Sequence, residues 1–276
     1  MRRGLTREFR LIRKRLLGGT SRRTLVRQLR DLGLQNGDLV LVHSAFSRIG
    51  YLRGGPQALI AALTDVVGPG GTVMMPSFPF NDPAFRYAQR GEVFDVRTTP
   101  SKVGQVQELF RRQPGTRRSV HPTHPYCAAG PLAAELVHGH HLVTNPFGPD
   151  TPLYRFVERE GRTLLIGVGL KNCSPFRVIE RPDDYPHPVF HPEMLRMRVI
   201  DEAGREHMVQ TLVHSLDLAP IRSTEVFRPH LEARGMLRTG RLGEATATLM
   251  ESRGLMPMMR ELLAAGVTPY PTLDRS

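Results

Sequence analysis

This chain contains almost no cysteine and no tryptophan. Its 276 residues include two cysteines, Cys127 and Cys173, which lie far apart and form no Cys-x-x-Cys pair. Cysteines placed in this way indicate neither a zinc site nor a disulfide framework. We therefore predict a protein without a bound metal that works in a reduced, cytoplasmic setting.

Long apolar runs are also missing. No stretch stays apolar for the roughly 20 residues that a membrane-spanning helix needs, so we expect no stable membrane insertion. Residues 1–19 are basic, and charges interrupt their apolar positions, unlike the continuous apolar core of a signal peptide. We interpret residues 5–17 as a basic amphipathic helix that packs on its own domain or touches an anionic surface.

Positive charge is what the chain has in excess. It carries 38 Lys and Arg against 26 Asp and Glu, a formal net charge of +12. Such an excess is typical of a solvated basic surface and also favours anionic partners, including nucleic acid and phosphorylated cofactors. A nucleic-acid surface would require arginines next to aromatic residues. Here the arginines are scattered and few adjoin an aromatic residue, so we expect no nucleic-acid partner.

Apolar runs and glycine turns alternate in the first third of the chain. The apolar run 39–43 predicts a strand buried on both faces, residues 57–67 predict a helix, and residues 72–76 predict a second buried strand. A strand, a helix and a strand in this order form a βαβ unit, whose strands are parallel. We therefore predict an α/β fold of three layers, with helices on both faces of a mostly parallel or mixed central sheet.

The later segments extend this prediction. Residues 162–169 predict another buried strand, and residues 195–213 alternate apolar and polar positions around a glycine turn, as a β-hairpin does. Residues 225–265 carry apolar positions at helical spacing, which predicts a mainly helical C-terminal part. We expect one domain over the whole chain, in which residues 195–265 form at most a smaller lobe.

Polar groups follow the predicted strands or precede helices. Ligands of parallel sheets bind at the carboxyl ends of strands, where His43, Ser44 and Ser77 lie. Glycines and helix starts bring backbone N–H groups close to anions, so two loops and a basic turn are candidate phosphate sites. Their residues are Gly54, Gly55, Ser101, Lys102, Val103, Gly104, Arg117, Arg118 and Ser119. Each pattern alone is also typical of a solvated turn.

Histidines and carboxylates are the other residues with catalytic chemistry. His121 and His124 lie in the proline-stiffened segment HPTHP, so they cannot be the i, i+4 pair of a zinc helix. His187 lies in a second proline-stiffened segment. Glu180 follows the strand predicted at 162–169, where a carboxylate can orient a histidine or hold an amine. The chain has no Gly-x-Ser-x-Gly, dinucleotide or P-loop motif, which disfavours a hydrolase and ordinary nucleotide binding.

Six segments, in this order, resemble the aminoglycoside 3-N-acetyltransferase family over about residues 20–255. They are VHSAFSRIGYLRGGPQALIAAL, VGPGGTVMMPSF, FDVRTTPSKVG, FRRQPGTRRSVHPTHPYCAAG, TNPFGPDTPLYRF and LLIGVGLKNCSPFRVIE. The resemblance implies a commonly dimeric enzyme that transfers acetyl from acetyl-CoA to an amine of an aminoglycoside antibiotic or an amino sugar.

The resemblance also implies roles for individual residues. His43, Ser44, Gly54 and Gly55 would line the pantetheine and the thioester. His121 and His124 would lie beside the acceptor site. The residues that would lie near the chain and phosphates of the cofactor are Ser101, Val103, Gly104, Arg118 and Ser119, with Ser77 at the neighbouring strand end.

One position departs from the family in a way that matters for catalysis. After the late strand the family resembles N-T-S-x-H-x-x-E, in which the histidine deprotonates the attacking amine. Here Arg177 stands at the histidine position, whereas Glu180 is retained. Arginine stays protonated near neutral pH and cannot act as a general base. A smaller departure is Pro125, where the family usually has serine.

Three interpretations of this departure are open. His124 or His187 supplies the base, Glu180 does so directly, or the protein binds CoA or a carbohydrate without acetylating an amine. Arg177 in the pocket also favours an anionic acceptor over a polycationic aminoglycoside, because like charges repel. A sugar amine of a biosynthetic pathway would satisfy this condition.

Overall fold

The computed structural model of the protein describes residues 18–180 and 189–270. Within these residues the strands are β1 (Leu39–Ser44), β2 (Thr72–Pro76), β3 (Phe94–Asp95), β4 (Arg117–Arg118), β5 (Tyr126–Ala129), β6 (Arg162–Ile166), β7 (Leu195–Ile200), β8 (Glu206–Thr211), β9 (Leu237–Leu242) and β10 (Ala245–Glu251). The α-helices are α1 (Arg22–Leu32), α2 (Gly55–Val67), α3 (Ala84–Ala88), α4 (Gln105–Arg111), α5 (Ala133–Val137), α6 (Pro152–Glu158), α7 (Leu218–Ile221), α8 (Arg228–Ala233) and α9 (Leu255–Ala264).

The main sheet has seven strands in the order β4-β5-β2-β1-β6-β10-β9. At its centre β1 runs parallel to both β2 and β6, so that Leu41 is opposite Met74 on one side and Thr163 on the other. The outer neighbours β5 and β10 are antiparallel to β2 and β6. The predicted βαβ unit is confirmed, and the carboxyl ends of β1, β2 and β6 meet at one edge of the sheet.

Side chains of the central strands enter two separate cores. On one face Val40 and Val42 pack with the buried sides of α1, α2 and α4. On the other face Leu39 and Leu41 pack with α5, α6 and α9. Both faces of the central strands are covered, which is why these strands have little polar alternation. The predicted three-layer α/β fold is confirmed.

A second sheet has three strands in the order β3-β7-β8. The hairpin predicted from residues 195–213 is confirmed as β7 and β8, which pair antiparallel from Leu195 to Ile200. Beyond β8, an isolated bridge joins His214 to Phe190. The segment after β8 therefore lies near the edge of the main sheet at which the parallel strands end.

The prediction of a mainly helical C-terminal part is wrong for β9 and β10. These strands form a hairpin in which Leu242 pairs with Ala245 across the turn at Gly243 and Glu244, and β10 then pairs with β6. β10 alternates buried alanine and leucine with threonine, which is β-branched and suits a strand. Helices flank the hairpin on both sides, as α8 and α9. The hairpin thus belongs to the main sheet.

The basic helix predicted over residues 5–17 lies outside the described residues. Among the residues that the structure does describe, none of the helices has both the length and the apolar character to cross a bilayer.

Candidate active site

A cleft of about 260 Å³ opens at the carboxyl edge of β1 and β2. Two of the predicted strand-end residues, His43 and Ser44, line it, and so does Val103 from the loop before α4. The remaining lining residues are Pro76, Phe78, Gln107, Val168, Lys171, Asn172, Cys173, Ser174 and Arg177. The sequence therefore located this edge correctly, although Gln107 and Lys171 were not among the predicted residues.

The His43 side chain is nearly buried, with 8% of its surface exposed. Burial lowers the pKa of His43 to about 4, and the positive charge of Arg177 acts in the same direction. Its Nε2 atom has no hydrogen-bond partner among the described residues. A neutral imidazole with unused hydrogen-bonding capacity therefore lines the cleft.

Other polar atoms near the cleft are also buried and unpaired. They include Ser101 Oγ and Gln107 Oε1, while Gln107 Nε2 donates a 3.4 Å hydrogen bond to Ser44 Oγ. An unpaired buried polar atom costs free energy that a hydrogen-bonding ligand recovers. The cleft is therefore suited to an elongated ligand that carries amide or hydroxyl groups.

Behind the cleft, Glu180 is fully buried and all its hydrogen-bonding capacity is engaged. Its Oε1 accepts from Arg222 Nε at 2.8 Å and from the Tyr270 hydroxyl at 3.0 Å. Its Oε2 lies 2.7 Å from His214 Nε2 and 3.5 Å from Arg177 Nη1. Burial raises the pKa of Glu180, but the charges of Arg222 and Arg177 and the hydrogen bond from His214 outweigh it and the net shift is downward. We name this set of five side chains the Glu180 cluster.

The Glu180 cluster does not fit the interpretation that Glu180 itself is the general base. Both carboxylate oxygens are already bonded inside the protein, and the lowered pKa makes the group a poor proton acceptor. Its place behind the cleft suits a carboxylate that orients a histidine.

Arg177 lies between the cleft and the rest of the Glu180 cluster. Its side chain is 27% exposed and lines the cleft. Its Nη1 atom is 2.7 Å from Nε2 and 3.2 Å from Nδ1 of His214. Its guanidinium carbon also lies 5.3 Å from the centre of the Phe147 ring. Arg177, which the resemblance places at the family histidine position, is therefore in direct contact with the imidazole of His214.

His214 is the residue of this site that reasoning from the sequence missed. It follows β8, and its ring centre lies 5.4 Å from that of Phe147 and 5.2 Å from that of Phe190. Burial lowers the pKa of His214 to about 4, and the charge of Arg177 adds to this, so the ring is neutral. Its position directly after the predicted hairpin was visible in the sequence, but β8 is antiparallel to β7, so the argument from the ends of parallel strands did not point to it.

His121 and His124 lie deeper than predicted, and neither lines the cleft. His121 Nδ1 accepts from the backbone N–H groups of Thr123 and His124, and its ring stacks on His140 at 4.3 Å. His124 Nδ1 lies 2.9 Å from the Thr123 hydroxyl. Burial lowers the pKa of both histidines well below the ordinary value. The role predicted for His121 beside the acceptor does not fit this geometry, because its ring is fully buried and stabilises the loop.

Arg118 also has a different environment from the one predicted. It is 5% exposed, and its guanidinium donates to the carbonyl oxygens of Thr99 and Ser77 and lies 4.6 Å from the Phe94 ring centre. Ser119 is fully buried, and its hydroxyl accepts from the backbone N–H of Tyr126. Contacts of Arg118 and Ser119 with cofactor phosphates do not fit, because both side chains are buried and both terminal nitrogens of Arg118 donate to carbonyl oxygens of the protein.

The remaining predicted cofactor residues do not line the cleft. Gly54 and Gly55 begin α2 with positive φ angles of 83° and 60°. Ser101 donates its backbone N–H to Glu108, and Ser77 is buried at the end of β2. Gly104 precedes α4, where a Cβ atom would lie 2.4 Å from Gln107 Oε1. Their contacts with a cofactor stay predictions, and His187 lies outside the described residues.

The three-layer fold and the cleft at its parallel strand ends define an α/β enzyme, with a buried histidine–carboxylate pair behind a ligand site. The chain belongs to the aminoglycoside 3-N-acetyltransferase family, whose sequence model matches residues 41–264. The predicted family is thereby confirmed. It is a family of acyltransferases that use acetyl-CoA as the acetyl donor.

Individual relatives agree with this assignment. Aminoglycoside N(3)-acetyltransferase VII of Streptomyces paromomycinus is 33% identical over 263 residues, which cover 88% of this chain and 91% of the relative. The crystal structure of aminoglycoside acetyltransferase AAC(3)-Xa matches with a TM-score of 0.79 and 29% identity, over 95% of this chain and 99% of that one. A binary complex of AAC-IIIb with CoASH matches with a TM-score of 0.74 and 25% identity, over 93% of this chain and 100% of that one.

Proposed function

We propose that this protein transfers the acetyl group of acetyl-CoA to an amine of an aminoglycoside-like or amino-sugar acceptor. The observation that carries the proposal is the cleft at the carboxyl edge of β1 and β2, in a chain of this acetyltransferase family. His43, Ser44 and Val103, three residues that the family resemblance assigns to the cofactor, line that cleft.

The cleft has groups that suit the pantetheine arm of the cofactor. His43 Nε2 and Gln107 Oε1 lack partners, and the amides of pantetheine offer hydrogen-bond donors and acceptors. Lys171 at the cleft adds positive charge that attracts the phosphates of CoA. We retain Gly54, Gly55, Ser101 and Gly104 as cofactor contacts, because glycine turns and helix starts leave backbone N–H groups available to anions.

The alternative of a protein that binds CoA without transferring acetyl is less well supported. Its motivation was the loss of the family histidine at Arg177. The Glu180 cluster nevertheless contains a neutral imidazole, His214, in contact with the retained carboxylate. This contact supports amine acetylation over binding without transfer, because it offers an imidazole beside a carboxylate.

The acceptor class is tested with a panel of amines that differ in net charge. The panel contains polycationic aminoglycosides, neutral amino sugars and amino sugars that carry a carboxylate or phosphate. We expect thiol release from acetyl-CoA with at least one member, and a product heavier by one acetyl group in mass spectrometry. Confirmed CoA binding without thiol release above the uncatalysed rate for every amine would contradict the proposed function.

We further propose that the enzyme works in the cytoplasm as a homodimer. Both cysteines are free and buried, as in a reducing compartment, and the family resemblance implies a dimer. Sedimentation of the purified protein should give twice the 31.0 kDa mass of one chain. Fractionation of cells that express it should place the activity in the cytoplasmic fraction.

A further inference from the structure

An acetyl transfer to an amine needs a group that accepts the proton of the attacking nitrogen. The family pattern places a histidine for this purpose at the position that Arg177 occupies here. Arg177 cannot accept a proton. Among the buried histidines of the described chain, His214 is the one within hydrogen-bond distance of a carboxylate.

The contact with Glu180 determines which nitrogen of His214 is free. The lowered pKa of Glu180 keeps it ionised, and an ionised carboxylate only accepts hydrogen bonds. Nε2 of His214 lies 2.7 Å from Oε2 of Glu180 and also 2.7 Å from Nη1 of Arg177. Because the carboxylate can only accept, we assign the proton to Nε2 as the donor to Glu180, and Arg177 then makes no hydrogen bond to that nitrogen. The lone pair then lies on Nδ1, where the nearest donor is Arg177 Nη1 at 3.2 Å.

The ring of His214 also lies where the side chain of residue 177 ends. Arg177 Nη1 is within 3.2 Å of both ring nitrogens, and Arg177 lines the cleft. Arg177 has a long and partly exposed side chain, whereas Glu180 is fully buried and His214 is 9% exposed. The arginine is consequently the part that turns aside when an acceptor amine approaches the ring.

We propose that His214 is the proton acceptor of this transferase, and that its imidazole replaces the missing family histidine over the retained Glu180. The inference rests on the proposed function. The acceptor nitrogen bonds to the acetyl carbon, the carbon–sulfur bond breaks, and the electron pair stays on sulfur. The proton lost by the nitrogen passes to Nδ1 of His214 and then to the sulfur, so atoms and charge balance.

The main competitor is His43, which lines the cleft. The charged groups that line the cleft with it are Arg177 and Lys171, both cations, so a protonated His43 would face like charges. The charged groups around His214 are Glu180, Arg177 and Arg222, and Glu180 stabilises the protonated ring. Proton acceptance is therefore better supported at His214.

The first test is His214→Gln with saturating acetyl-CoA and the best acceptor of the panel. Loss of a general base lowers kcat by about 10²–10⁴. We expect that loss, with the affinity for CoA changed less than threefold. His138→Gln, which alters an exposed histidine, is the matched control and should retain the wild-type kcat.

The decisive variant places a histidine at position 177, where the family pattern has one. Arg177→His combined with His214→Gln should regain at least tenfold in kcat over His214→Gln alone, because the new ring lies beside the same carboxylate. Retention of kcat within threefold in His214→Gln, or a loss confined to His43→Gln, would overturn the proposal.

A measurement on the wild-type protein tests the inference without relying on turnover. Nitrogen NMR of histidine-labelled protein should show His214 neutral and protonated at Nε2 at pH 7. A ring protonated at Nδ1 would contradict the proposal, even if a folded His214→Gln variant cannot be obtained. Absence of thiol release in the wild type would instead reject the proposed function, so the two failures are distinguishable.

Discussion

At the residue scale, the buried carboxylate of Glu180 is the group that holds the side chains of the Glu180 cluster together. Its carboxylate is shared by two arginines, Arg222 at 2.8 Å and Arg177 at 3.5 Å. Arg222 is itself 5% exposed, so little solvent is available to replace the carboxylate. Removing one partner of a buried ion pair leaves an uncompensated charge, which is far more costly than the same change on the surface.

Glu180→Gln should therefore destabilise the fold as well as the site. We expect the free energy of unfolding at pH 7 to fall by about 3–5 kcal/mol, measured by urea denaturation. The control is Glu261→Gln, because Glu261 pairs with Arg234 at a similar 2.9 Å but is 68% exposed. That change should cost about 1 kcal/mol or less. Equal losses in the two variants would show that burial of the Glu180 pair contributes nothing.

At the element scale, the hairpin of β9 and β10 extends the main sheet beyond β6. Its turn is two residues long, and Gly243 adopts a positive φ of 58°. A Cβ atom at Gly243 would lie 2.5 Å from the backbone oxygen of Ile49, which accepts a hydrogen bond from the N–H of Glu244. The turn thus connects the hairpin to the segment that follows β1.

The substitution Gly243→Ala separates this contact from the cost of the backbone conformation. Gly235 has a similar φ of 65° with nothing near its Cβ position, so Gly235→Ala carries only the conformational cost. That cost is about 1–2 kcal/mol for a left-handed residue with a side chain. Gly243→Ala should lower the free energy of unfolding by clearly more, in thermal or urea melts. If Gly243→Ala lowers the free energy of unfolding no more than Gly235→Ala does, the backbone at Ile49 moves aside at no cost.

At the scale of the whole molecule, five histidines of the part of the chain that the structure describes are buried, and burial is the largest cause of the lowered pKa of each. The pKa falls to about 4 for His43 and His214 and to about 3 for His140, and lies well below the ordinary value for His121 and His124. All five bind protons more readily in the unfolded chain, whose histidines titrate near 6.5. Their contribution to stability is full above pH 6.5 and is lost progressively as the pH falls from 6.5 toward the lowered pKa values of the folded protein.

The protein should therefore lose stability steeply in mild acid. Each such histidine contributes a slope of up to about 1.4 kcal/mol per pH unit below pH 6.5, so five together outweigh most surface effects. Urea unfolding at pH 7.5 and pH 5.5 measures the difference, and we expect a reduction of several kcal/mol at the lower pH. An unchanged free energy of unfolding between the two would indicate that the folded and unfolded chains bind protons equally over this interval, so that burial does not lower the histidine pKa values.

Local patterns carried a large part of the fold and one side of the site. The apolar runs of β1, β2 and β6 and the glycine turns between them are short-range features, so the parallel centre of the sheet followed from the sequence. The same reasoning placed His43 and Ser44 at the edge where the cleft opens. It failed for β9 and β10, where alternating alanines and threonines were less conspicuous than the apolar helices around them.

The basic turn shows why a local pattern can mislead. Arg118 and Ser119 look like phosphate ligands when the chain is read alone. In the fold, the carbonyl oxygens of Ser77 and Thr99 surround the guanidinium of Arg118. Those oxygens come from other segments, so the burial of this arginine was not visible in its own neighbourhood.

The sequence by itself determined the family and the parallel sheet, and its resemblance to the family predicts that Arg177 stands in place of a histidine. It could not determine what replaces that histidine. His214 lies 34 residues from Glu180 along the chain and belongs to a different sheet region, and only the packing of that hairpin against the main sheet brings the two side chains to 2.7 Å. A hydrogen bond between distant segments depends on their relative placement in space, which no local pattern specifies.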